Sequence, residues 1–357
     1  MNNFYPLRVS SRTNETRDAV VITFDIPEEQ RETFRYTAGQ HLTFRAEVAG
    51  GEVRRSYSIC SAPFENRVSV AIKLAANGLF STWANRELLP GHTIECMAPA
   101  GHFGVSLEPE SKRHHVAFAA GSGITPILSI LKSTLEEEPR SRFTLIYGNR
   151  ASSSVIFRED LEDLKNRYLE RFNLVFILSR EQQDIELFNG RIDGAKCDQI
   201  LRRWIDPRDI DVAYICGPQS MMAEVSASLQ ANGVSKEHIR MELFGTEARV
   251  GYKHPLPVAR ADRVCHVTVI QDGRRREFSV QNDGQTLLDG ALEQGIELPY
   301  SCKGGVCSTC RCKMTQGKVD MDVSFALEDY EIARGFVLTC QSYPLSSEIV
   351  LDFDQDT

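Results

Sequence analysis

The chain has 357 residues and a formal net charge of −8, with 42% hydrophobic and 25% charged residues. This composition is typical of a globular protein of two or three domains, and the negative charge argues against a nucleic-acid partner, because phosphate binding needs a basic surface. No apolar run approaches the ~18 residues of a membrane span, and the first residues lack the apolar segment of a secretory signal, so we expect a cytoplasmic protein without a membrane partner.

Residues 1–110 contain short runs in which apolar and polar side chains alternate, such as AVVITFDI and RVSVAIKL. Clusters of glycine, proline and asparagine separate these runs. Short strands at regular spacing are typical of an antiparallel barrel or sandwich. We therefore place a first, antiparallel domain at residues 1–110.

Residues 111–245 show a different pattern, in which buried strands alternate with helices. HHVAFAA, RFTLIYG, FNLVFIL and DVAYICG are continuous apolar runs, as expected of strands covered on both faces. TPILSILKSTLEEE has the apolar period of a helix, with Thr125 expected as its N-cap and Pro126 as its first helical residue. The alternation predicts a doubly wound α/β domain with a parallel sheet.

Residues 246–264 carry prolines and charges without periodicity, which indicates a linker. The next stretch, CHVTVIQDGRRREFSV, predicts a hairpin that turns at Asp272 and Gly273. A predicted helix, TLLDGALEQG, and a cysteine-rich loop follow it. We assign residues 265–357 to a third domain.

The cysteine-rich loop, SCKGGVCSTCRC, carries the most specific pattern in the chain. Cys302, Cys307 and Cys310 follow the spacing C-x4-C-x2-C, and 29 residues separate Cys340 from the last of them. This is the plant-type [2Fe–2S] pattern, in which a loop supplies three thiolates and a distant strand the fourth. The alternative is structural zinc, whose ligands usually come in two similarly spaced pairs. Cys312 is too close to Cys310 to be the distant ligand, and we interpret it as a thiol on the outgoing strand.

The sequence RRSYS, Arg54–Ser58, carries a possible ligand-binding pair. Alternate residues of a strand face the same side, so Arg55 and Tyr57 can address one ligand. A guanidinium suits a phosphate, and a tyrosine ring can stack on a flat heterocycle. The pair alone is weak evidence, because a tyrosine in a barrel is more often a core residue.

Two glycine-containing turns follow predicted strands of the second domain. AGSGITP is not the G-x-G-x-x-G fingerprint, but it joins a buried strand directly to a helix, where amides can cradle a pyrophosphate. CGP ends another strand at Cys216. That cysteine is either a site residue or only a small residue at a crowded strand end.

The sequence LSREQ closes a further strand and bears on the choice of nucleotide. Ser179 and Arg180 could grip a 2′-phosphate, whereas an acidic residue there would favour NAD. Arg150, in YGNR, is a second candidate for this contact. We expect NADPH as the donor, with NADH open.

The chain resembles the ferredoxin–NADP reductase superfamily in the order of three motifs. These are R-x-Y-S, then G-x-x-S in NGLFS, and then a glycine-rich loop that joins a strand to a helix. The resemblance implies a flavin-binding β-barrel as the first domain. It implies that Arg55 binds the flavin phosphate, that Tyr57 stacks on the flavin ring and that Ser58 hydrogen-bonds flavin N5. It also implies that Gly78 and Ser81 open a helix facing the pyrophosphate. We expect FAD, with FMN open.

In the same superfamily the glycine loop and the CGP turn lie beside the nicotinamide nucleotide, and the segment ELF approaches the flavin. The resemblance makes Ser58, Cys216 and Glu242 the candidate catalytic residues. The other positions that it assigns to cofactor binding are Ser56, Phe80, Phe244, Gly121, Ser122, Gly123, Thr125, Pro126, Arg150, Ser179, Arg180, Gly217 and Pro218.

Residues 265–357 resemble plant-type ferredoxins, including TCQSYP around Cys340. The resemblance implies an α+β domain of the β-grasp fold.

A hydride carries two electrons and an iron–sulfur cluster takes one, so a flavin must stand between them. The expected order is therefore NADPH to flavin to [2Fe–2S] to an outside acceptor, in which the cofactors carry the reaction and the protein positions them.

Over nearly its whole length the chain is similar to the reductase subunits of ring-1,2-phenylacetyl-CoA epoxidase complexes, for example in AAGSGITPIL, FTLIYGNR and CKGGVCSTC. That family passes electrons to a di-iron oxygenase in phenylacetate breakdown. Reductases of 3-ketosteroid 9α-hydroxylase and other Rieske-type oxygenases share the domain order and are the alternative. An iron–sulfur redox sensor is an alternative of another class.

A free-standing oxygenase is disfavoured, because the sequence offers no Glu-x-x-His pair or other recognisable catalytic iron site. We expect the neighbouring His114 and His115 to form a solvated strand end instead.

Overall fold

The structure is a computed structural model that describes residues 4–244, 264–281 and 284–355. The chain forms two compact units, one from Phe4 to Glu242 and one from Leu243 onward. The predicted linker at 246–264 lies outside the described residues, except for Val264, which begins a strand. No helix in the described part of the chain is both long enough and apolar enough to cross a membrane.

The first unit begins with a six-stranded antiparallel sheet in the order β4-β3-β6-β1-β2-β5. Its elements are β1 (Tyr5–Thr16), β2 (Ala19–Asp25), β3 (His41–Val48), β4 (Gly51–Ser58), β5 (Val68–Lys73), α1 (Leu79–Arg86) and β6 (Thr93–Cys96). A bridge between Ile59 and Val70 joins the two edge strands and closes the sheet. The alternating apolar residues fill the interior, where Phe44 and Phe80 are almost fully buried. The prediction of an antiparallel barrel is confirmed.

The same unit continues with five parallel strands in the order β11-β10-β7-β8-β9. The elements are β7 (His114–Ala120), α2 (Ile124–Glu137), β8 (Arg142–Asn149), α3 (Arg158–Arg167), β9 (Phe172–Leu178), α4 (Gly194–Trp204), β10 (Val212–Cys216), α5 (Gln219–Ala231) and β11 (Ile239–Glu242). Because β7 lies between β8 and β10, the strand order reverses there and leaves a crevice at the carboxyl ends of β7 and β10. The doubly wound prediction is confirmed.

Three local predictions in this domain are wrong. Pro126 is not the first residue of α2, which begins two residues earlier at Ile124. Thr125 is not an N-cap: a 3-10 turn, Gly121–Gly123, leads into α2, and the Thr125 hydroxyl donates to the Ser122 carbonyl within the first turn at 3.0 Å. The histidines are not solvated, because His114 is 7% exposed and His115 is fully buried.

The His115 ring lies parallel to the Phe143 and Tyr214 rings, with centroid distances of 5.9 and 6.0 Å. Its Nε2 atom lies 3.1 Å from Oε2 of the buried Glu138. Arg113 also donates to that carboxylate. Phe143, Tyr214 and Glu138 all lie outside β7 and at least 23 residues from His115 in sequence. A local sequence pattern therefore does not reveal that they surround the histidine.

The barrel and the parallel sheet are joined by polar contacts within the first unit. The Phe157 amide donates to Glu15 of β1 at 2.6 Å. The hydroxyl of Ser129, in α2, donates to the Ser61 carbonyl at 2.6 Å, and both residues are buried. Such buried, satisfied contacts hold two layers in one relative position.

The second unit contains a mixed five-stranded sheet, β13-β12-β18-β14-β16, and a two-stranded sheet, β15-β17. The elements are β12 (Val264–Gln271), β13 (Arg274–Gln281), α6 (Leu287–Glu293), β14 (Arg311–Gln316), β15 (Val319–Met321), α7 (Asp329–Ala333), β16 (Phe336–Leu338), β17 (Ser342–Pro344) and β18 (Glu348–Asp352). The hairpin at Asp272 and Gly273 is confirmed, with both residues at positive φ as a tight turn requires. Thr286 caps α6 by accepting from the Asp289 amide, and the helix shares a core with the sheet.

Candidate active site and metal centre

The three candidate catalytic residues come together at the end of the parallel sheet. The Ser58 hydroxyl, at the end of β4, donates to Oε2 of Glu242 at 2.9 Å. Cys216 lies directly opposite Glu242 in the β10–β11 pair and is fully buried. Burial raises the pKa of Glu242 to about 7, although the Ser58 hydrogen bond acts in the opposite direction. Burial also raises the pKa of the Cys216 thiol well above its usual value, so this thiol stays protonated.

The glycine loop lies against the same strand end. A Cβ atom on Gly123 would lie 2.1 Å from the Cys216 carbonyl oxygen, so only glycine allows this close approach. The Tyr147 hydroxyl donates to the Gly121 carbonyl at 2.8 Å and fixes the loop. Gly123 thus packs directly against the turn at Cys216 and Gly217, and Gly121 and Ser122 immediately precede it in the loop. Thr125 and Pro126 are buried in the first turn of α2, which follows the loop.

Arg55 and Tyr57 lie two residues apart on β4 and differ in burial. Arg55 is exposed, whereas Tyr57 is half-buried and burial raises its pKa. Ser56 contacts Thr43, with 2.9 Å between the hydroxyl oxygens. Phe80 is 1% exposed, and its ring centroid lies 5.6 Å from that of Tyr57. It therefore supports the Tyr57 ring from the barrel interior.

The turn before α1 is held by a serine. The Ser81 hydroxyl donates to the Gly78 carbonyl at 3.2 Å and accepts from the Ala75 amide at 3.1 Å. A Cβ atom on Gly78 would lie 2.5 Å from the Ser81 Oγ atom. Ser81 thus shapes the turn, and the first amides of α1 are left without a side-chain cap. Such amides can bind an anion.

The predicted 2′-phosphate residues lie together at the ends of β8 and β9. The Ser179 amide donates to the Asn149 carbonyl at 3.0 Å, and the Arg180 amide donates to the Arg150 carbonyl at 2.7 Å. Both arginine side chains are exposed.

Phe244 follows Glu242 by two residues and is 44% exposed. Its predicted approach to the flavin stays a prediction.

The four predicted cluster ligands lie close together in the second unit. Cys302 and Cys307 interact through their sulfur atoms, and so do Cys310 and Cys340. The Gly304 amide donates to the Cys302 sulfur at 3.3 Å. The Cys307 thiol, together with backbone amides, lowers the pKa of Cys302 to about 6. Cys307, Cys310 and Cys340 are buried.

The cluster loop adopts a backbone that few residues accept. Lys303 and Ser308 have φ values of 51° and 50°, and Gly305 has a φ of 74°. A Cβ atom on Gly305 would lie 2.9 Å from the Val323 side chain, which packs on the loop. Left-handed positions of this kind turn successive amides toward one side, where they can donate to sulfur.

Gln341 and Thr339 support the cluster loop, and the cysteine spacing does not identify them. The Gln341 side chain donates to the carbonyls of Lys303 and Cys340 at 3.0 and 2.9 Å. The amide and hydroxyl of Thr339 donate to the Cys310 carbonyl at 3.1 and 3.3 Å. Both residues are sequence neighbours of Cys340. Adjacency to a predicted cluster ligand is therefore the feature of the sequence that could have identified them.

The donor set fits a two-iron cluster. Across residues 4–244, 264–281 and 284–355, no three His, Cys, Asp or Glu side chains converge closely enough to hold a single ion. The thiols instead form two pairs, Cys302 with Cys307 and Cys310 with Cys340. A [2Fe–2S] cluster takes two thiolates on each iron, whereas structural zinc takes four ligands around one point.

Family models match each part of the chain. An oxidoreductase FAD-binding domain matches residues 6–104, and an oxidoreductase NAD-binding domain matches residues 118–227. A 2Fe-2S iron-sulfur cluster binding domain matches residues 269–345. These matches follow the order of the barrel, the parallel sheet and the cysteine loop.

The chain is 46% identical over 354 residues to a 1,2-phenylacetyl-CoA epoxidase subunit of Escherichia coli (strain K12), covering 99% of each chain. The chain belongs to this family of oxygenase reductases. A second relative is the ferredoxin reductase component of 3-ketosteroid-9-alpha-monooxygenase from Rhodococcus rhodochrous. It is 34% identical to this reductase, and the alignment covers 97% of this chain and 96% of the relative. A third, at 27% identity and covering 99% and 96%, is the glycine betaine monooxygenase reductase subunit of Pseudomonas aeruginosa.

Solved structures confirm the fold of the oxygenase reductase. Phthalate dioxygenase reductase matches with a TM-score of 0.60 and 22% identity, covering 98% of both chains. An intact type IV self-sufficient cytochrome P450 monooxygenase matches with a TM-score of 0.69 and 22% identity, covering 98% of this chain and 41% of that one. The reductase is an oxidoreductase that uses FAD, a [2Fe–2S] cluster and a pyridine nucleotide, as the sequence predicts.

Proposed function

We propose that this reductase passes electrons from NADPH to the di-iron oxygenase component of a phenylacetyl-CoA epoxidase complex in phenylacetate degradation. The observation that carries the proposal is the 46% identity to a phenylacetyl-CoA epoxidase subunit, against 34% to the reductase of a 3-ketosteroid monooxygenase. Both alignments cover nearly the whole chain, so the two identities compare the same stretch of sequence. A Rieske-type partner is the second candidate.

When bound, the flavin accepts a hydride and releases electrons singly, and the cluster accepts them one at a time. We propose that Ser58, Cys216 and Glu242 form the catalytic centre. The Ser58–Glu242 hydrogen bond holds the carboxylate at the mouth of the crevice. The neutral, buried Cys216 provides a small apolar surface beside it.

We propose binding roles for three groups of residues. For the flavin these are Arg55, Ser56, Tyr57, Ser58, Gly78, Phe80, Ser81 and Phe244, of which Phe80 acts from behind the Tyr57 ring. For the nucleotide they are Gly121, Ser122, Gly123, Thr125, Pro126, Arg150, Ser179, Arg180, Cys216, Gly217 and Pro218. The cluster ligands are Cys302, Cys307, Cys310 and Cys340.

We also propose the domain limits 1–110, 111–245 and 265–357, with the linker between the last two. We expect a cytoplasmic location, because the donor is a cellular nucleotide and none of the ten cysteines, all of them described, forms a disulfide. The net charge of −8 supports the absence of a nucleic-acid partner.

Reconstitution tests the choice of partner. The reductase is mixed with NADPH and either a di-iron phenylacetyl-CoA epoxidase component or a Rieske-type oxygenase, and substrate oxygenation is measured. We expect product with the di-iron component and a much slower reaction with the other. The reverse order would replace the proposal with the second candidate. Failure to reduce any artificial acceptor with a nicotinamide donor would instead favour a redox sensor.

A further inference from the structure

The turn after β8 holds an anionic group in this structure. The amide and the hydroxyl of Ser152 both donate to Oε2 of Glu181, at 2.7 and 2.9 Å. These two bonds lower the pKa of the Glu181 carboxyl. A backbone amide and a hydroxyl that converge on one anionic oxygen form a donor set that also suits a phosphate oxygen.

This turn lies beside the residues proposed to contact the nucleotide ribose. Strands β8 and β9 are neighbours, and backbone hydrogen bonds join Asn149 to Ser179 and Arg150 to Arg180 just beyond their ends. Ser152 follows Arg150 by two residues, and Glu181 directly follows Arg180. In a doubly wound sheet, the ligand binds outside the carboxyl ends of the strands.

Two arginines are neighbours of Glu181, one in sequence and one in space. Arg180 precedes it in sequence, and Arg158, at the start of α3, is close enough to favour its charged form. Glu181 is exposed, so its side chain can move without repacking the core. In dinucleotide-binding domains of this type, an acidic residue beside the ribose commonly accepts from the 2′-hydroxyl. Here the carboxylate instead accepts from Ser152.

We propose that Glu181 occupies the position of the NADPH 2′-phosphate and that the phosphorylated ribose displaces it from Ser152. This inference rests on the proposed use of NADPH. Displacement breaks two hydrogen bonds and brings a second anion close to Glu181, whereas NADH leaves the Ser152–Glu181 contact intact. Glu181 therefore lowers the preference for NADPH below the value that Ser179 and Arg180 alone would give.

Binding of two nucleotide fragments tests the proposal without using the electron-transfer activity. The probes are 2′,5′-ADP, which carries the 2′-phosphate, and 5′-AMP, which does not. Calorimetry on the flavin-loaded full chain compares the wild type with Glu181→Gln at fixed ionic strength. Glu186→Gln removes the same charge from an exposed residue nearby and serves as the matched control.

We expect Glu181→Gln to bind 2′,5′-ADP about tenfold more tightly, because a tenfold change in affinity corresponds to about one hydrogen bond to a charged group. Its affinity for 5′-AMP should equal that of the wild type. Glu186→Gln should change neither affinity. Unaltered 2′,5′-ADP binding in Glu181→Gln would show that Glu181 only caps the turn. Weaker 5′-AMP binding would show that it holds the 2′-hydroxyl. Either result overturns the inference.

A separate variant isolates the proposed function on which this inference rests. Arg180→Ala should weaken 2′,5′-ADP binding and raise the KM for NADPH more than that for NADH. Equal effects on the two nucleotides would contradict the NADPH assignment itself, whatever Glu181→Gln shows. Thermal unfolding of each variant checks that the turn after β8 still folds.

Discussion

The hydroxyl of Ser58 donates to the carboxylate of Glu242 across 184 residues of sequence, with 2.9 Å between the oxygen atoms. Ser58 ends a barrel strand and Glu242 ends the last strand of the parallel sheet. One hydrogen bond thus links the domain proposed to bind the flavin to the domain proposed to bind the nucleotide. Cys216, opposite Glu242 in the sheet, completes the group.

Replacing Ser58 by alanine should slow reduction of the bound flavin by NADPH about 10- to 100-fold, because hydrogen bonds to charged groups contribute about 1.5–3 kcal/mol. Stopped-flow absorbance measures this step directly. Ser69→Ala, at a buried serine of the barrel strand β5 that belongs to no proposed site, is the matched control for barrel disruption. An equal loss in both variants would indicate that disruption of the barrel, and not the Ser58–Glu242 contact, is responsible.

The same step should speed up as pH rises through about 7, the pKa of Glu242. Hydride loss leaves a positive charge on the nicotinamide ring, and an ionised carboxylate at the crevice stabilises that charge. Glu242→Gln should be slow and should show no inflection near this pH. A wild-type profile that is flat from about pH 6 to 8 would remove Glu242 from the catalytic group.

The strands, the parallel sheet and the hairpin at Asp272 and Gly273 were predictable, because each depends on a local apolar period or turn residue. Spacing alone also indicated Cys302, Cys307, Cys310 and Cys340, since three of them share one loop. The Ser58–Glu242 bond was not predictable from local pattern, because only the assembled unit brings the two residues together. The superfamily resemblance named both residues without giving their contact.

The errors have the same origin. Thr125 has the residue type of an N-cap, but the 3-10 turn at Gly121–Gly123 starts the helical backbone earlier. His115 has a polar side chain, but Glu138 and two aromatic rings satisfy it inside the core. Tertiary contacts decided both cases.

Glu138 should be essential for the stability of the first unit. Burial alone would raise its pKa, but hydrogen bonds from Arg113, Ser141 and the Glu108 amide outweigh this effect and lower the pKa to about 2. Glu138→Ala leaves the partly buried Arg113 without its main acceptor and should cost about 3–5 kcal/mol of unfolding free energy. Glu136→Ala, in the last turn of α2 two residues before Glu138 and in an exposed pair, should cost less than about 1 kcal/mol. Calorimetric unfolding distinguishes these outcomes.

The pH dependence of this contribution follows from the sign of the shift. The folded-state pKa of Glu138 lies below its ordinary value of 4.5, so its contribution is fully present above that pH and is lost as pH falls toward about 2. Glu138→Ala should therefore lose less stability than the wild type over this range. Parallel curves for the two proteins would show that folding does not lower the pKa of Glu138.

Cys312→Ser should retain the full cluster, because Cys312 lies on β14 and pairs with Val337 in the sheet. The thiol is only 2% exposed, so the serine hydroxyl should cost about 1–3 kcal/mol of stability. Iron analysis and unfolding of the same sample separate the two effects. Loss of half or more of the iron from a folded variant would make Cys312 a ligand and contradict the assignment of Cys340.

The most direct test of the relay is the variant Cys307→Ser, measured with two acceptors. Ferricyanide accepts electrons from reduced flavin, whereas the oxygenase component should require the cluster. We expect Cys307→Ser to abolish NADPH-dependent reduction of the oxygenase while it keeps most of the ferricyanide activity. Equal loss of both activities in a variant that still binds FAD would contradict the order nucleotide, flavin, cluster, acceptor.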